Sequence, residues 1–171
     1  MPWASSLVGV FTMGKCTCTG YAKAYQYLLQ LSGINCAVVS GKATTPQGRR
    51  SHAWVIQKCD GSYYYTDPTW GDCFDGNNKE YISHSYFCLS ESEIEKTHTI
   101  NHKEILPKCT ANKDNYFVKN NLLYSSYNRA DIKKALKSCV ENGKYYAELK
   151  FTNESAYIDA NNELFKQGQI Y

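Results

Sequence analysis

His52 and Asp67 flank an Asp60-Gly61 pair, and that pair decides whether they can act together. Asp-Gly is preferred in two-residue hairpin turns because Gly tolerates positive φ. With Asp60 and Gly61 as the turn, His52–Cys59 and Ser62–Thr66 read as antiparallel strands, which sets Trp54 opposite Asp67 and His52 opposite Thr69. His52 and Asp67 then become diagonal neighbours on one face, about 7–8 Å apart between backbones and within reach of their side chains. A carboxylate beside an imidazole fixes its tautomer and stabilises the imidazolium, which is the base half of a nucleophilic triad.

Cys18 is the nucleophile such a pair could serve. Tyr21, Ala24, Tyr25, Leu28, Leu29 and Leu31 follow helical spacing and Gly33 supplies a stop, so the pattern predicts a helix from about Cys18 to Ser32. A thiol at a helix start meets unpaired N–H groups and the positive end of the helix dipole, which lower its pKa. Paired with His52 it would be an activated nucleophile. Taken alone, Cys18 reads as a small buried residue; only its company makes it reactive.

The elements that must position these groups are legible in outline. Ile34–Ser40 reads as a buried strand, 42–50 as a surface loop, 68–78 as a loop and Tyr81–Leu89 as a further strand. Ser90 with Glu93 offers a capping box for a short helix. Beyond Pro107 the rhythm changes. Residues 116–118 and 122–127 read as a small hairpin, Arg129–Glu141 as a helix, Tyr145–Phe151 as alternating, and Glu154–Phe165 as helical. The expectation is an α+β fold in two parts, a core over 1–108 and a small α+β extension over 109–171.

Composition excludes several classes. Hydrophobic residues make up 43% and charged residues 20%, as in an ordinary folded domain. Nineteen basic against sixteen acidic residues give +3, scattered along the chain, so nucleic-acid binding has no electrostatic support. No stretch approaches the roughly 18 apolar residues of a membrane span, and Met1–Val10 lacks the charged start of a signal peptide. The eight cysteines show no paired zinc spacing. Cys16, Cys18 and His52 could ligate zinc but lack a second ligand pair, and His98 and His102 read as part of a solvated loop. The C-terminal tyrosines fit either sheet packing or recognition of a polymer or protein. Nothing in the sequence speaks to oligomeric state.

Four blocks in order carry a resemblance: Cys18-Thr-Gly-Tyr-Ala-Lys-Ala-Tyr, Val38-Val-Ser-Gly, Ser51-His-Ala-Trp-Val and Tyr64-Tyr-Thr-Asp-Pro-Thr-Trp-Gly-Asp. Together they resemble the core of the transglutaminase-like superfamily of papain-related cysteine enzymes, especially its bacterial members. The resemblance covers about Ser6 to Asp72. It implies a papain/transglutaminase-like core with the nucleophile helix packed on an antiparallel sheet. It also implies Cys18 as nucleophile, His52 as general base and acid, Asp67 as the orienting carboxylate, and the Cys18 backbone N–H as part of an oxyanion hole. Trp54 and Trp70 would wall the cleft, with Tyr21 beneath the nucleophile. The implied reaction is acyl transfer through a thioester on protein or peptide amides, hydrolytic first, with transfer to an amine as the alternative. No metal, nucleotide or organic cofactor is implied, and related proteins are often exported to the cell surface or beyond. Two features depart from the pattern: only seventeen residues precede Cys18, and Cys16 stands where the family commonly has Gly. These favour the other alternative, a catalytically silent binding module that keeps the fold.

Overall fold

The strand that carries His52 is shaped by turns at both of its ends. In the computed structural model, which describes residues 1–74 and 80–166, Asp60 and Gly61 take φ values of 45° and 82°. A two-residue hairpin turn whose twist matches the flanking strands needs positive φ at both positions. The chain of unit one, Met1–Asn115, runs through a 3-10 turn at Pro2–Ser5, helix α1 (Leu7–Phe11) and helix α2 (Cys18–Leu31) to strands β1 (Cys36–Thr45), β2 (Gly48–Cys59) and β3 (Ser62–Thr66). It continues through α3 (Pro68–Gly71), β4 (Asp72–Phe74), β5 (Glu80–Ile82), α4 (Glu91–Ile94) and β6 (His98–Ile100).

Four strands form one sheet in the order β3-β2-β1-β6, every neighbouring pair antiparallel. The β2–β3 register is the expected one, Val55 opposite Thr66 through Cys59 opposite Ser62. The ladder stops there. Asp67 leaves it to cap α3, so Trp54 and His52 have no partners on β3.

The central strand is covered on both faces, and residues 53–57 are all buried. On one face α2 packs Ala22, with Cys18, Tyr25 and Leu29, against Ala53, Val55, Cys36 and Val38. On the other, Val39, Trp54, Ile56, Tyr65 and Ile100 join Leu89, Ile94 and Cys109. Fully buried Trp54 and Tyr65 anchor this second layer through the large apolar area their rings remove from water.

Several expectations are corrected. The loop expected at 42–50 is mostly strand: β1 and β2 pair as far as Thr45 opposite Gly48, across Pro46 and Gln47. Its polar composition misled because only one face is buried; Gly41 and Ala43 point inward while Lys42 and Thr44 are exposed. The loop expected over 68–78 contains α3, capped by the Asp67 carboxylate, and β4, which pairs with β5; its residues 75–78 lie outside the described residues. The strand expected over Tyr81–Leu89 is reduced to β5 and a single bridge at its end, where Leu89 exchanges backbone hydrogen bonds with Tyr65 at 2.8 and 2.9 Å. The capping box at Ser90 and Glu93 is present.

The segment expected as a solvated loop around His98 is instead the edge strand β6. It pairs with β1, Gly41 opposite Ile100 and Ala43 opposite His98, and His98 is 1% exposed. Gly41 is what lets this happen. A Cβ there would collide with the Thr99 carbonyl and come within 2.7 Å of Trp54 Cη2. The small residues at 41 and 43 thus leave room on this face for Trp54, His52 and His98.

Unit two, from Tyr116 on, holds α5 (Tyr116–Lys119), β7 (Leu123–Tyr124), α6 (Arg129–Glu141), β8 (Lys150–Phe151) and α7 (Glu154–Asn161), followed by a π turn at Asn162–Lys166. Helix α6 occupies the expected span, capped by Asn128, whose side chain accepts from Ala130 N at 2.9 Å. The expected hairpin is absent among the described residues. Tyr116–Lys119 is helical, and β7 pairs with β8 in parallel. Parallel neighbours need a long crossover, which here contains α6.

No helix of the described residues is long and apolar enough to cross a membrane.

Candidate active site

Cys18 is the first residue of α2 because Thr17 caps the helix: its hydroxyl accepts from Gly20 N, and its own N–H reaches Ala4 O at 2.9 Å. Capping of this kind stabilises a helix start by about 1 kcal/mol. It leaves Cys18 in the first turn, where backbone N–H groups have no partner within the helix and their partial positive charge favours an anion.

His52 lies on β2, on the same face as Trp54, and Asp67 lies at the junction of β3 and α3. His52 Nε2 is 2.7 Å from Asp67 Oδ2. An ionised carboxylate only accepts, so Nε2 carries the proton and Nδ1 is left for the sulfur of Cys18. Asp67 is held from every side. Its Oδ1 accepts from Thr69 N at 3.0 Å and Trp70 N at 3.4 Å, and its backbone N–H donates to Tyr86 O at 2.9 Å. Its Oδ2 accepts from a second imidazole, His98 Nε2, at 3.2 Å.

The electrostatics follow. For Cys18 the hydrogen bond with His52 lowers the thiol pKa below its usual value, against the opposing effect of burial; N–H groups of Ala53 and Thr19 and the His52 charge add to the lowering. For His52 burial opposes the cation, yet the hydrogen bonds to Asp67 and Cys18 raise it to about 9. Burial alone would push Asp67 up, but the bonds from His52 and His98 hold it below the usual carboxylate value. These opposite shifts, the sulfur pulled down and the imidazole pushed up, both favour the thiolate–imidazolium form of the pair.

Cys16 differs from its neighbour. Burial pushes its thiol up, and it hydrogen-bonds Tyr21. Tyr21 in turn donates to Asp72 Oδ2. The tyrosine expected beneath the nucleophile is therefore engaged on Cys16 and Asp72.

The two tryptophans divide. Trp70 is part-exposed and packs against His52, His98 and Tyr86, with ring centroids 5.7, 4.6 and 4.6 Å away. Trp54, expected at the cleft wall, is 0% exposed: it stacks on His52 at 6.0 Å and meets His98 edge-on at 4.8 Å. It can position the imidazoles but offers no surface to a substrate.

His98 is the site residue that the sequence reading missed. Its only local signal is the in-out-in pattern His98-Thr99-Ile100, too short to separate from a loop; β1 determines its place. Among the described residues, His52, Asp67 and His98 also form the group whose ligand atoms lie within 4.8 Å of one another, the arrangement through which a metal ion could be held. The zinc set weighed from sequence, Cys16 with Cys18 and His52, is not such a group among the described residues.

The carboxylate's effect on His52 can be isolated. Replacing Asp67 with Asn keeps an oxygen for the Thr69 and Trp70 N–H groups, so the turn survives, but removes the charge. The expected result is a fall in the His52 pKa from about 9 by roughly one unit or more, read from the imidazole Cε1 proton by NMR. An unchanged titration would show that Asp67 does not set it.

Residues 1–68 match the family model described as the transglutaminase-like superfamily. The matched stretch contains Cys18, His52 and Asp67 and ends one residue beyond the carboxylate. No curated protein matches the chain. The mixed α and β architecture, a helix against an antiparallel sheet, agrees with such a core. Over residues 1–68, then, the chain is similar to the transglutaminase-like superfamily.

Proposed function

We propose that the chain is a cysteine-dependent acyl-transfer enzyme acting on amide bonds of proteins or peptides, with Cys18 as nucleophile, His52 as base and acid and Asp67 as the orienting carboxylate. One observation carries this: a thiol at a helix start, hydrogen-bonded to an imidazole whose other nitrogen is 2.7 Å from a buried carboxylate. The Cys18 thiolate attacks the amide carbonyl carbon. The carbonyl oxygen takes the negative charge beside the Cys18 backbone N–H, the C–N bond breaks, and the imidazolium gives its Nδ1 proton to the leaving amine. A thioester remains on Cys18. His52, now neutral, takes a proton from the acceptor as it attacks the thioester, and the thiolate departs.

Water is the favoured acceptor, which makes the enzyme a peptidase or deamidase; an amine acceptor would make it a transglutaminase. Cys16 does not argue for a silent module, because its thiol is engaged on Tyr21.

Mass spectrometry of the protein incubated with glutamine-containing peptides, with and without a primary amine, tests the proposal. The expected result is an acyl adduct on Cys18 with release of ammonia or of a peptide amine. Incorporation of the added amine would identify transfer in place of hydrolysis. A Cys18 that acquires no adduct while other thiols are modified would contradict the proposal.

A further inference from the structure

We propose that His98 is a positioning residue for Asp67, so that the alignment of His52 on Cys18 depends on an imidazole from β6, outside the stretch that matches the family. The proposal rests on the reading of Cys18, His52 and Asp67 as the reactive group.

An ionised carboxylate offers about four acceptor sites on its two oxygens. In Asp67 they are all engaged: two backbone N–H groups on Oδ1, and His52 and His98 on Oδ2 at 2.7 and 3.2 Å. Without His98 one site on the oxygen that His52 uses would be open, and the carboxylate could turn or take up water.

His98 is itself fixed. Thr97 Oγ1 lies 2.9 Å from its Nδ1, and that hydroxyl is also 3.4 Å from Ile94 O at the end of α4. Its side chain is 0% exposed. Trp54, Trp70 and Tyr86 surround the ring at centroid distances of 4.8, 4.6 and 5.6 Å. The titratable groups that face it are Asp67 from the end of β3, His52 from β2 and Tyr86 from the segment after β5; burial pushes the Tyr86 phenol up, so it stays neutral at ordinary pH. An imidazole buried with both nitrogens satisfied, one of them by the carboxylate that orients the base, is built to hold that carboxylate still.

The test is the pH dependence of Cys18 alkylation by iodoacetamide, read on the Cys18 peptide by mass spectrometry. It compares the unaltered protein with His98→Phe, His98→Gln and Thr97→Val, with circular dichroism as the folding control. Phe fills the aromatic cage without a donor; Gln restores a donor of similar reach. The acid limb is expected to move up by about one pH unit or more in His98→Phe, to stay close to the unaltered protein's in His98→Gln, and to move up by less in Thr97→Val.

A purely structural role would lower thermal stability but leave the limb of the folded protein in place, and that result in His98→Phe overturns the proposal. If His98→Phe does not fold, an unmoved limb in Thr97→Val overturns it instead. An unaltered protein whose Cys18 titrates as an ordinary thiol contradicts the reading of the reactive group itself, so the two failures are distinguishable.

Discussion

Cys18→Ala is expected to abolish the proposed acyl transfer, lowering turnover by about 10⁴-fold or more, while the fold persists. The magnitude is that of removing one member of a group that acts as a unit. The fold persists because the helix start is held by Thr17, not by the thiol, and alanine is the best helix former. Cys18→Ser is the sharper variant: it keeps the shape and puts in place of the thiol a hydroxyl that a His52 of pKa about 9 does not ionise in the resting state. Its turnover is expected to fall by at least about 10³-fold. Both are read as initial rates on the best peptide amide found, with circular dichroism as control. Turnover within tenfold of the unaltered enzyme in Cys18→Ala would place the nucleophile elsewhere.

His52→Ala removes the interaction that lowers the Cys18 pKa most, the hydrogen bond from its ring. Burial, which opposes the thiolate, then remains against the Ala53 and Thr19 N–H groups. The expected result is an acid limb for Cys18 alkylation that rises toward the roughly 8.5 of a free thiol. Below the free-thiol range the alkylation rate should fall by severalfold or more, by less than the loss of thiolate because a more basic thiolate is also more nucleophilic. The sign is fixed by the pairing: a pKa lowered by a cationic neighbour rises when the neighbour is removed. Turnover falls as well, because no group remains to protonate the leaving amine. A limb that stayed put would assign the lowered pKa to the helix start alone.

What the sequence disclosed follows from how local the determinants are. The Asp60-Gly61 turn sets the β2–β3 register from a dipeptide, and with it the meeting of His52 and Asp67. That meeting survives even though β3 ends at Thr66, because capping α3 turns the carboxylate back toward the imidazole. Helix α2 and helix α6 were legible from periodicity and their flanking signals, each over more than three turns.

His98 was not legible, because its burial depends on β6 docking against β1, nearly sixty residues earlier in the chain, beside a glycine whose role is to leave room. Trp54 was misplaced for a related reason. The resemblance implied a place at the cleft wall, but α4 and β6 close over that face and bury it. In unit two the two-residue strands β7 and β8 carry no periodicity of their own; their pairing is parallel, and no turn dipeptide announces it.

The most direct measurement is the rate of iodoacetamide alkylation at Cys18 against pH in the unaltered protein, read peptide by peptide so that Cys16 serves as internal reference. Cys18 should remain reactive well below the roughly 8.5 of a free thiol, while Cys16, pushed up by burial, should lose reactivity as the pH falls below its own higher limb. A Cys18 limb at or above that of an ordinary thiol would contradict the thiolate–imidazolium pair on which the whole account stands.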